Sequence, residues 1–183
     1  MKPAIFLDRD GVVIRNRADY VRSWDDVEFL PRAVSALSRL AASPYPIVFV
    51  TNQSVVGRGI ISLEGAQAIN RRLVSELRAQ GCRIDGVFMC PHAPEDGCNC
   101  RKPKPGLLFQ ASEALGLDLS ASVMIGDAWT DLQAGAAAGV PTLGLVLTGR
   151  GNEQLTLPQP PEVVRARFFT DLSIALDVLL PLS

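Results

Sequence analysis

Short apolar runs that end in polar side chains recur along this chain, and helical patterns lie between them. Continuous apolar runs are typical of strands that are buried on both faces. Strands that alternate with helices predict a doubly wound, Rossmann-like parallel sheet with helices on both sides, an α/β fold. The predicted strands are a first run that starts at residues 2–3 and ends before Asp8, then residues 46–50, 84–89, 122–126 and 141–147, and a short sixth strand at 168–170.

The segments between these strands carry helical signals. A first helix is predicted to follow Pro31, and Ser62 is placed to cap a long second one. Two further helices are predicted at residues 105–115 and 130–138, and a last one runs from Asp171 to Leu180. Residues 149–165 contain prolines without any periodicity, which predicts a surface loop.

The size and charge of the chain limit the class of protein it can be. Its 183 residues suit one domain, predicted to span residues 1–183. A net charge of −1 without a dense Lys/Arg block argues against a nucleic acid or a membrane surface as partner. The apolar runs are shorter than the roughly 18 residues of a membrane helix, and the N-terminus shows no signal-peptide pattern. We therefore expect a cytoplasmic protein, and we take it to be a monomer, although no sequence feature specifies the oligomeric state.

Polar side chains follow several predicted strands at the point where each strand ends. Asp8 and Asp10 follow the first strand, Thr51 and Asn52 the second, and Asp127 the fourth. In a parallel sheet these ends meet at one edge, where ligands bind. Taken singly, these residues also suit turns or helix caps. Their joint placement favours a functional site.

The residue types at these strand ends suit phosphoryl transfer. Carboxylates from two strands can hold Mg²⁺, which prefers carboxylate and phosphate oxygens. Arg101 and Lys102 add positive charge near the third strand. One carboxylate can attack phosphorus, and a second can carry the proton. By themselves Thr51-Asn52 could be a cap and Lys102 a solvated charge.

A cluster of metal-ligand residues follows the third predicted strand. It contains Cys90, His92, Cys98 and Cys100, and the histidine is the only one in the chain. Three thiolates and one imidazole form a complete ligand set for a tetrahedral structural Zn²⁺. Free thiols, or a disulfide between two of the cysteines, are the alternatives. Cys82 lies outside the cluster and is expected to be a plain buried or half-buried thiol.

The order of these residues resembles the four motifs of the haloacid dehalogenase superfamily of phosphatases. The resemblance covers residues 4–131 and rests on Asp8-Arg9-Asp10-Gly11, Thr51, a lysine, and Gly126-Asp127 with Asp131. It implies that Asp8 is the nucleophile, that Asp10 is the acid/base, and that Thr51 and Lys102 stabilise the transferring phosphoryl group. It also implies that Asp8, the backbone carbonyl of Asp10, and Asp127 hold the catalytic Mg²⁺, with Asp131 as a supporting partner.

A narrower resemblance rests on the segment Cys98-Asn-Cys-Arg-Lys-Pro-Lys-Pro-Gly106. It points to a branch with the D-glycero-D-manno-heptose 1,7-bisphosphate 7-phosphatases and the histidinol-phosphate phosphatases, which have no large cap domain and a zinc-stabilised loop. The branch implies a small phosphorylated sugar substrate, from the heptose pathway of lipopolysaccharide or related glycans. The expected substrate-binding residues are Arg9, Asn16, Asp19, Tyr20, Asn52, Gln53, Ser54 and Arg101.

Four departures from the branch pattern concern the substrate more than the chemistry. Val12 replaces a common threonine, Val55-Val56-Gly57 replaces Gly-Ile-Ala, Ala128 stands where a lysine is often found, and only five residues separate His92 from Cys98. They leave the anomer of the sugar open. Histidinol phosphate remains an alternative substrate, and a zinc-stabilised binding module without catalysis is an alternative of another class.

Overall fold

A computed structural model describes residues 1–180, and six short apolar segments in it form one parallel sheet. The strand order is β3-β2-β1-β4-β5-β6, so the chain reverses direction across the sheet at β1. The strands are β1 (Ile5–Leu7), β2 (Ile47–Asn52), β3 (Gly86–Cys90), β4 (Val123–Gly126), β5 (Thr142–Val146) and β6 (Arg167–Phe169). All five neighbouring pairs are parallel. The predicted doubly wound sheet is confirmed.

Helices connect the strands, as parallel pairing requires. They are α1 (Ala33–Arg39), α2 (Ser54–Gly57), α3 (Leu63–Ala79), α4 (Gly106–Leu115), α5 (Trp129–Ala137), α6 (Gly151–Gln154) and α7 (Leu172–Leu179). The predicted caps are confirmed, because Ser62 Oγ accepts the Gly65 amide and Asp171 Oδ1 accepts the Ile174 amide, each at 3.0 Å. Among residues 1–180, every helix is too short or too polar to cross a membrane.

The two faces of the sheet bury separate apolar cores. Side chains alternate along a strand, so Ile5 and Leu7 pack in one core and Phe6 packs in the other. The first core contains Leu37 of α1 and residues of α3 and α7, and the second contains residues of α4 and α5. The central strand β1 is therefore fixed from both sides, which holds the residues that follow it in place.

Two segments are more regular than the sequence patterns predict. Strand β2 continues past Val50 through Thr51 and Asn52, because these residues pair with Met89 and Cys90 of β3. Residues 149–165 were expected to be an irregular surface loop, but they contain α6 and bury Gly151 and Val163. The backbone amide and the indole of Trp129 both donate to Gln154, at 2.8 and 3.0 Å, which attaches the segment to α5.

Candidate active site

A cavity of about 380 Å³ opens at the carboxyl edge of the sheet. It lies beside β1, where the strand order reverses, as expected for the ligand site of such a fold. Asp8 and Asp10 line it together with Asn52 and Lys102. The convergence expected from the strand ends is therefore present in the structure.

Lys102 lies at the centre of a buried cluster of charges. Its Nζ contacts Oδ1 of Asp8 at 2.7 Å and Oδ1 of Asp131 at 2.6 Å, and it donates to the carbonyl of Val50 at 2.7 Å. Burial alone would lower the pKa of Lys102, but Asp131 and Asp8 raise it above its usual range. The ammonium group is therefore a permanent positive charge beside Asp8.

Asp8 is buried beside several other carboxylates. Burial raises its pKa to about 7; Lys102 opposes this shift, while Asp131 and Asp127 add to it. A carboxylate in this position is poorly hydrated and is repelled by the neighbouring carboxylates, and a divalent cation at the site would offset that repulsion.

Asp10 is held by donors on both of its carboxylate oxygens. Arg9 donates from Nε to Oδ2 at 2.9 Å and from Nη2 to Oδ1 at 3.1 Å. Gln53 Nε2 donates to Asp10 Oδ2 and also to Thr51 Oγ1, each at 2.8 Å. The hydroxyl of Thr51 lies 3.4 Å from Asp10 Oδ2. These contacts give the carboxyl group a single orientation at the cavity wall.

Asp127 is fully buried at the end of β4. Its Oδ2 accepts hydrogen bonds from Asn16 Nδ2 at 2.6 Å and from the Arg150 backbone amide at 2.8 Å. The Arg150 guanidinium lies 3.3 Å from Oδ1. Burial and the charge of Asp131 raise the pKa of Asp127, while Arg150 opposes the shift.

Two glycines make room for Asp127. Gly11 and Gly149 both have positive φ angles, of 84° and 57°. A Cβ atom on Gly149 would overlap Asp127 Oδ2 and lie 2.5 Å from Cα of Gly11. Thr148 Oγ1 donates to the carbonyl of Gly11 at 2.6 Å, which joins the loops that follow β1 and β5.

The donor set at the cavity floor suits Mg²⁺. Carboxylate oxygens of Asp8, Asp127 and Asp131 lie within 4.8 Å of one another. Asp131 uses Oδ1 for Lys102 and accepts the Ala128 amide on Oδ2 at 3.0 Å. Both Asp131 oxygens are held by buried partners, whereas the guanidinium on Asp127 Oδ1 belongs to Arg150, whose side chain is 51% exposed and can give way to an ion. Asp8 and Asp127 are therefore the better ligands for a hard cation.

The four residues of the predicted zinc site come together after β3. The Sγ atoms of Cys90, Cys98 and Cys100 lie 3.3–3.6 Å apart, and His92 Nδ1 lies 3.3 Å from Cys100 Sγ and 3.6 Å from Cys90 Sγ. All four cysteines of the chain are free thiols. Zn–S bonds of about 2.3 Å place tetrahedral ligands a little under 4 Å apart, so the cluster fits Zn²⁺.

The cysteine cluster lies on the loop that carries Lys102. The side-chain amide of Asn52 donates to the carbonyl of Lys102 and accepts from its backbone N–H, each at 3.1 Å. Arg101 Nη1 donates to the carbonyl of His92 at 3.3 Å. The end of β2 and the cysteine cluster thus hold this loop from two sides.

The other predicted substrate-binding residues divide into two groups. Those that line the cavity are Asn16, Tyr20, Asn52, Gln53, Ser54 and Arg101. Arg9 and Asp19 lie elsewhere. Arg9 is 1% exposed behind Asp10, and the Asp19 side chain is 85% exposed and points to Arg22 at 3.6 Å.

Two arginines are present in addition to the eight expected substrate-binding residues, Arg17 next to Asn16 in sequence and Arg150 after β5. Arg17 and Arg150 both line the cavity. Arg150 follows β5 by four residues, so the rule that polar residues after a strand reach the site would have included it. The prolines farther along the segment predict a surface loop, so Arg150 was assigned to that loop.

Comparisons with known proteins show which family the chain is similar to. A family model described as HAD-hydrolase-like matches residues 99–171. The D-glycero-β-D-manno-heptose-1,7-bisphosphate 7-phosphatase of Pseudomonas aeruginosa is 37% identical over 176 residues, which cover 96% of this chain and 97% of that protein.

Two solved structures of similar proteins extend over nearly the whole chain. The D,D-heptose 1,7-bisphosphate phosphatase from Bordetella bronchiseptica, complexed with magnesium and phosphate, has a TM-score of 0.90 at 37% identity and covers all of both chains. The corresponding enzyme from Burkholderia thailandensis has a TM-score of 0.72 at 32% identity and covers 98% of this chain and 99% of that one.

Proposed function

The chain belongs to the family of haloacid dehalogenase-like hydrolases that contains these heptose bisphosphate phosphatases, and we propose that it removes the 7-phosphate of D-glycero-D-manno-heptose 1,7-bisphosphate. The observation that carries the proposal is the buried contact of Asp8 with Lys102 beside Asp127, on the floor of a cavity of a size that suits a small sugar. In this arrangement a carboxylate nucleophile, a fixed cation and a metal-binding carboxylate all meet.

The first half of the reaction phosphorylates Asp8. A carboxylate oxygen of Asp8 attacks phosphorus, and the bond between phosphorus and the sugar oxygen breaks. Asp10 gives a proton to that oxygen, so the sugar leaves as an alcohol. Lys102 and Thr51 lie beside Asp8 and Asp10, where they stabilise the charge that develops on the phosphoryl oxygens.

The second half restores the enzyme. Asp10, now deprotonated, takes a proton from water, which attacks phosphorus and releases phosphate from Asp8. The residues that would hold Mg²⁺ are Asp8, Asp127 and the backbone carbonyl of Asp10. When bound, the ion neutralises charge between these carboxylates and the phosphoryl oxygens. Asp131 holds Lys102 through its Oδ1.

The charge of the cavity favours a bisphosphate over histidinol phosphate. Arg17, Arg101 and Arg150 line it in addition to Lys102. A second phosphate on the substrate would meet these guanidinium groups favourably, since arginine matches phosphate geometry. Histidinol phosphate has no second phosphate; it carries an ammonium group and an imidazole instead, and the same arginines would repel its positive charge.

Phosphate release tests the proposal directly. We expect the protein to hydrolyse the heptose bisphosphate with Mg²⁺, to prefer one anomer, and to act on histidinol phosphate at least about tenfold more slowly, which corresponds to about 1.4 kcal/mol of transition-state binding. Asp8→Asn removes the nucleophile and should abolish release while the circular dichroism spectrum is unchanged.

Two results would contradict this assignment. Faster hydrolysis of histidinol phosphate than of the heptose bisphosphate would show that histidinol phosphate is the preferred substrate. Full activity after Mg²⁺ is removed by a chelator, at unchanged zinc content, would exclude Asp127 as a ligand of a catalytic ion.

We further propose that the protein works as a monomer in the cytoplasm. The groups that the proposed reaction uses, including Asp8, Lys102 and Asp127, meet within one copy of the chain, and cysteines without disulfides are typical of a reducing compartment. Sedimentation should give the mass of one chain, 19.7 kDa. A dimer at micromolar concentration would contradict this part of the proposal.

A further inference from the structure

We propose that Arg9 and Asn70 form a buried support that positions Asp10 for proton transfer, an inference that rests on the phosphatase function proposed above. Arg9 is the largest fully buried side chain of the described residues. A guanidinium group in such a place must have partners for its donors, because an unpaired buried charge is very unfavourable. Its partners show what the residue does.

Arg9 contacts Asp10 through two parallel bonds. Nε and Nη2 reach Oδ2 and Oδ1 at 2.9 and 3.1 Å, a fork that fixes the plane of the carboxylate as well as its position. The two residues are neighbours in sequence, so this pair joins no distant segments and closes no loop. Its effect is to orient Asp10.

Asn70 holds the far side of the guanidinium. Its Oδ1 accepts from Arg9 Nη1 at 2.7 Å, across 61 positions of sequence. Asn70 is 6% exposed and lies on the face of α3 that otherwise buries Ala66, Ile69 and Leu73. Its Nδ2 faces the sulfur of Met89 at 3.4 Å, which is consistent with the amide oxygen pointing to Arg9.

The same carboxylate must serve two steps without moving far. Asp10 gives its proton to the departing sugar oxygen and then receives one from water, so its direction matters in both. Arg9 and Gln53 both donate hydrogen bonds to Asp10, and Gln53 also donates to Thr51. Lysine at position 9 would keep the charge but lose the planar fork. Arg9 and Asn70 are therefore positioning residues that act through Asp10.

Leaving-group dependence separates this role from a purely structural one. A sugar alkoxide needs a proton from Asp10, whereas 4-nitrophenolate leaves without one. We expect Arg9→Lys and Asn70→Leu to lower kcat/KM on the heptose bisphosphate by about 10- to 100-fold, part of the usual contribution of general acid catalysis. On 4-nitrophenyl phosphate the loss should stay below about threefold, and KM should change little on either substrate.

Matched variants control for damage to the fold. Arg71→Lys makes the same exchange on an exposed arginine next to Asn70 and should leave the ratio of the two kcat/KM values unchanged. Asn70→Asp keeps an oxygen acceptor for Arg9 and should retain most of the selectivity for the sugar. If Arg9→Lys fails to fold, as judged by thermal unfolding, the pair Asn70→Asp and Asn70→Leu decides.

Equal losses on both substrates, or a loss confined to KM, would overturn the inference. So would an Asn70→Leu variant with the wild-type ratio. If the unmodified protein released phosphate from neither compound, the phosphatase proposal itself would fail, which is a different result from an altered ratio.

Discussion

Lys102 is one cation between two buried carboxylates, so the site without a metal ion has more negative than positive charge. The ammonium group contacts Asp8 and Asp131. Asp127 adds a further buried carboxylate whose nearest cation is Arg150. Negative charge therefore exceeds positive charge around Asp8, which together with burial explains why its pKa rises to about 7.

Removal of the Lys102 charge should cost stability in a pH-dependent way. In Mg²⁺-free buffer at pH 8, Lys102→Met leaves two buried carboxylates unpaired, so we expect the free energy of unfolding to fall by about 3–5 kcal/mol. The raised pKa of Asp8 means that the folded protein holds its proton at pH 5 while the unfolded chain has lost it. Stability from that proton is present at low pH and lost as the pH rises through about 7, so the loss in the variant should be smaller at pH 5.

Urea unfolding at pH 5 and pH 8 measures this difference. Lys104→Met is the matched control, because Lys104 is exposed and bonds to backbone carbonyls of the same loop. It should change stability by less than about 1 kcal/mol at either pH. Equal losses for Lys102→Met at the two pH values would show that Asp8 does not take up the proton.

The loop from Cys90 to Lys104 is the element that brings Lys102 to the sheet. It has no long helix or strand of its own, only a 3₁₀ turn at Pro94–Asp96. Its order comes from the cysteine cluster at one end and from the Asn52 amide at the other. A structural Zn²⁺ in the cluster would thus hold the loop in place and, through it, keep Lys102 beside Asp8, although Lys102 is not a zinc ligand.

Loss of one thiolate should therefore lower both zinc content and activity. We expect Cys98→Ser to reduce bound zinc well below one ion per chain and to lower kcat by at least about tenfold, because Lys102 would no longer be held beside Asp8. Cys98 lies outside the strands and helices, so the far-ultraviolet circular dichroism should change little.

Cys82→Ser is the control for this experiment. Cys82 is buried in the core outside the cluster, where its Sγ contacts the carbonyl of Val34 at 3.4 Å. The zinc content of the Cys82→Ser variant should remain at one ion per chain. Zinc absent from the unmodified protein, measured by elemental analysis, would refute the metal site.

The helices and strands were predictable because their signals are local. Apolar runs indicated the strands, and in a parallel sheet the strand ends that carry Asp8, Thr51 and Asp127 meet at one edge. The four residues of the predicted zinc site lie within one short loop, so their spacing was sufficient to predict that they come together.

The remaining features depend on contacts that no local pattern reveals. Arg9 was predicted to bind substrate, but the chain turns after β1 and directs it towards Asn70, 61 residues away. The extension of β2 through Thr51 and Asn52 depends on its pairing with β3. Arg150 reaches the cavity because Trp129 and Gln154 hold residues 151–154 against α5.

At the scale of the whole molecule, two loops that are far apart in the sequence meet at the site. The loop after β1 contributes Gly11, and the loop after β5 contributes Thr148, Gly149 and Arg150. Both pack on Asp127, which follows β4. The contacts of Asp127, the proposed Mg²⁺ ligand, therefore depend on the loops that follow β1 and β5 as well as on β4.

A methyl group at Gly149 should disturb this closure. Gly149→Ala would overlap Asp127 Oδ2, in addition to the strain of a positive φ angle. We expect a loss of about 2–4 kcal/mol in the free energy of unfolding and at least about tenfold weaker Mg²⁺ binding by calorimetry.

Gly139→Ala separates the strain from the overlap. Gly139 also has a positive φ angle, of 82°, but a Cβ there would meet nothing within 4 Å. It should cost only about 1–2 kcal/mol and leave Mg²⁺ affinity unchanged. Similar Mg²⁺ affinities for the two variants would mean that the contact of Gly149 with Asp127 has no part in metal binding.

The bond from Thr148 to Gly11 also sets a time order during biosynthesis. The ribosome makes Asp8 and Asp10 first, but the chain must grow by a further 137 residues from Gly11 before Thr148 exists. At about 5–20 residues per second this takes roughly 7–27 s. A nascent chain therefore carries Asp8, the proposed nucleophile, for most of translation without the loop that packs on Asp127. We expect unfinished chains to be inert towards phosphate esters in the cell.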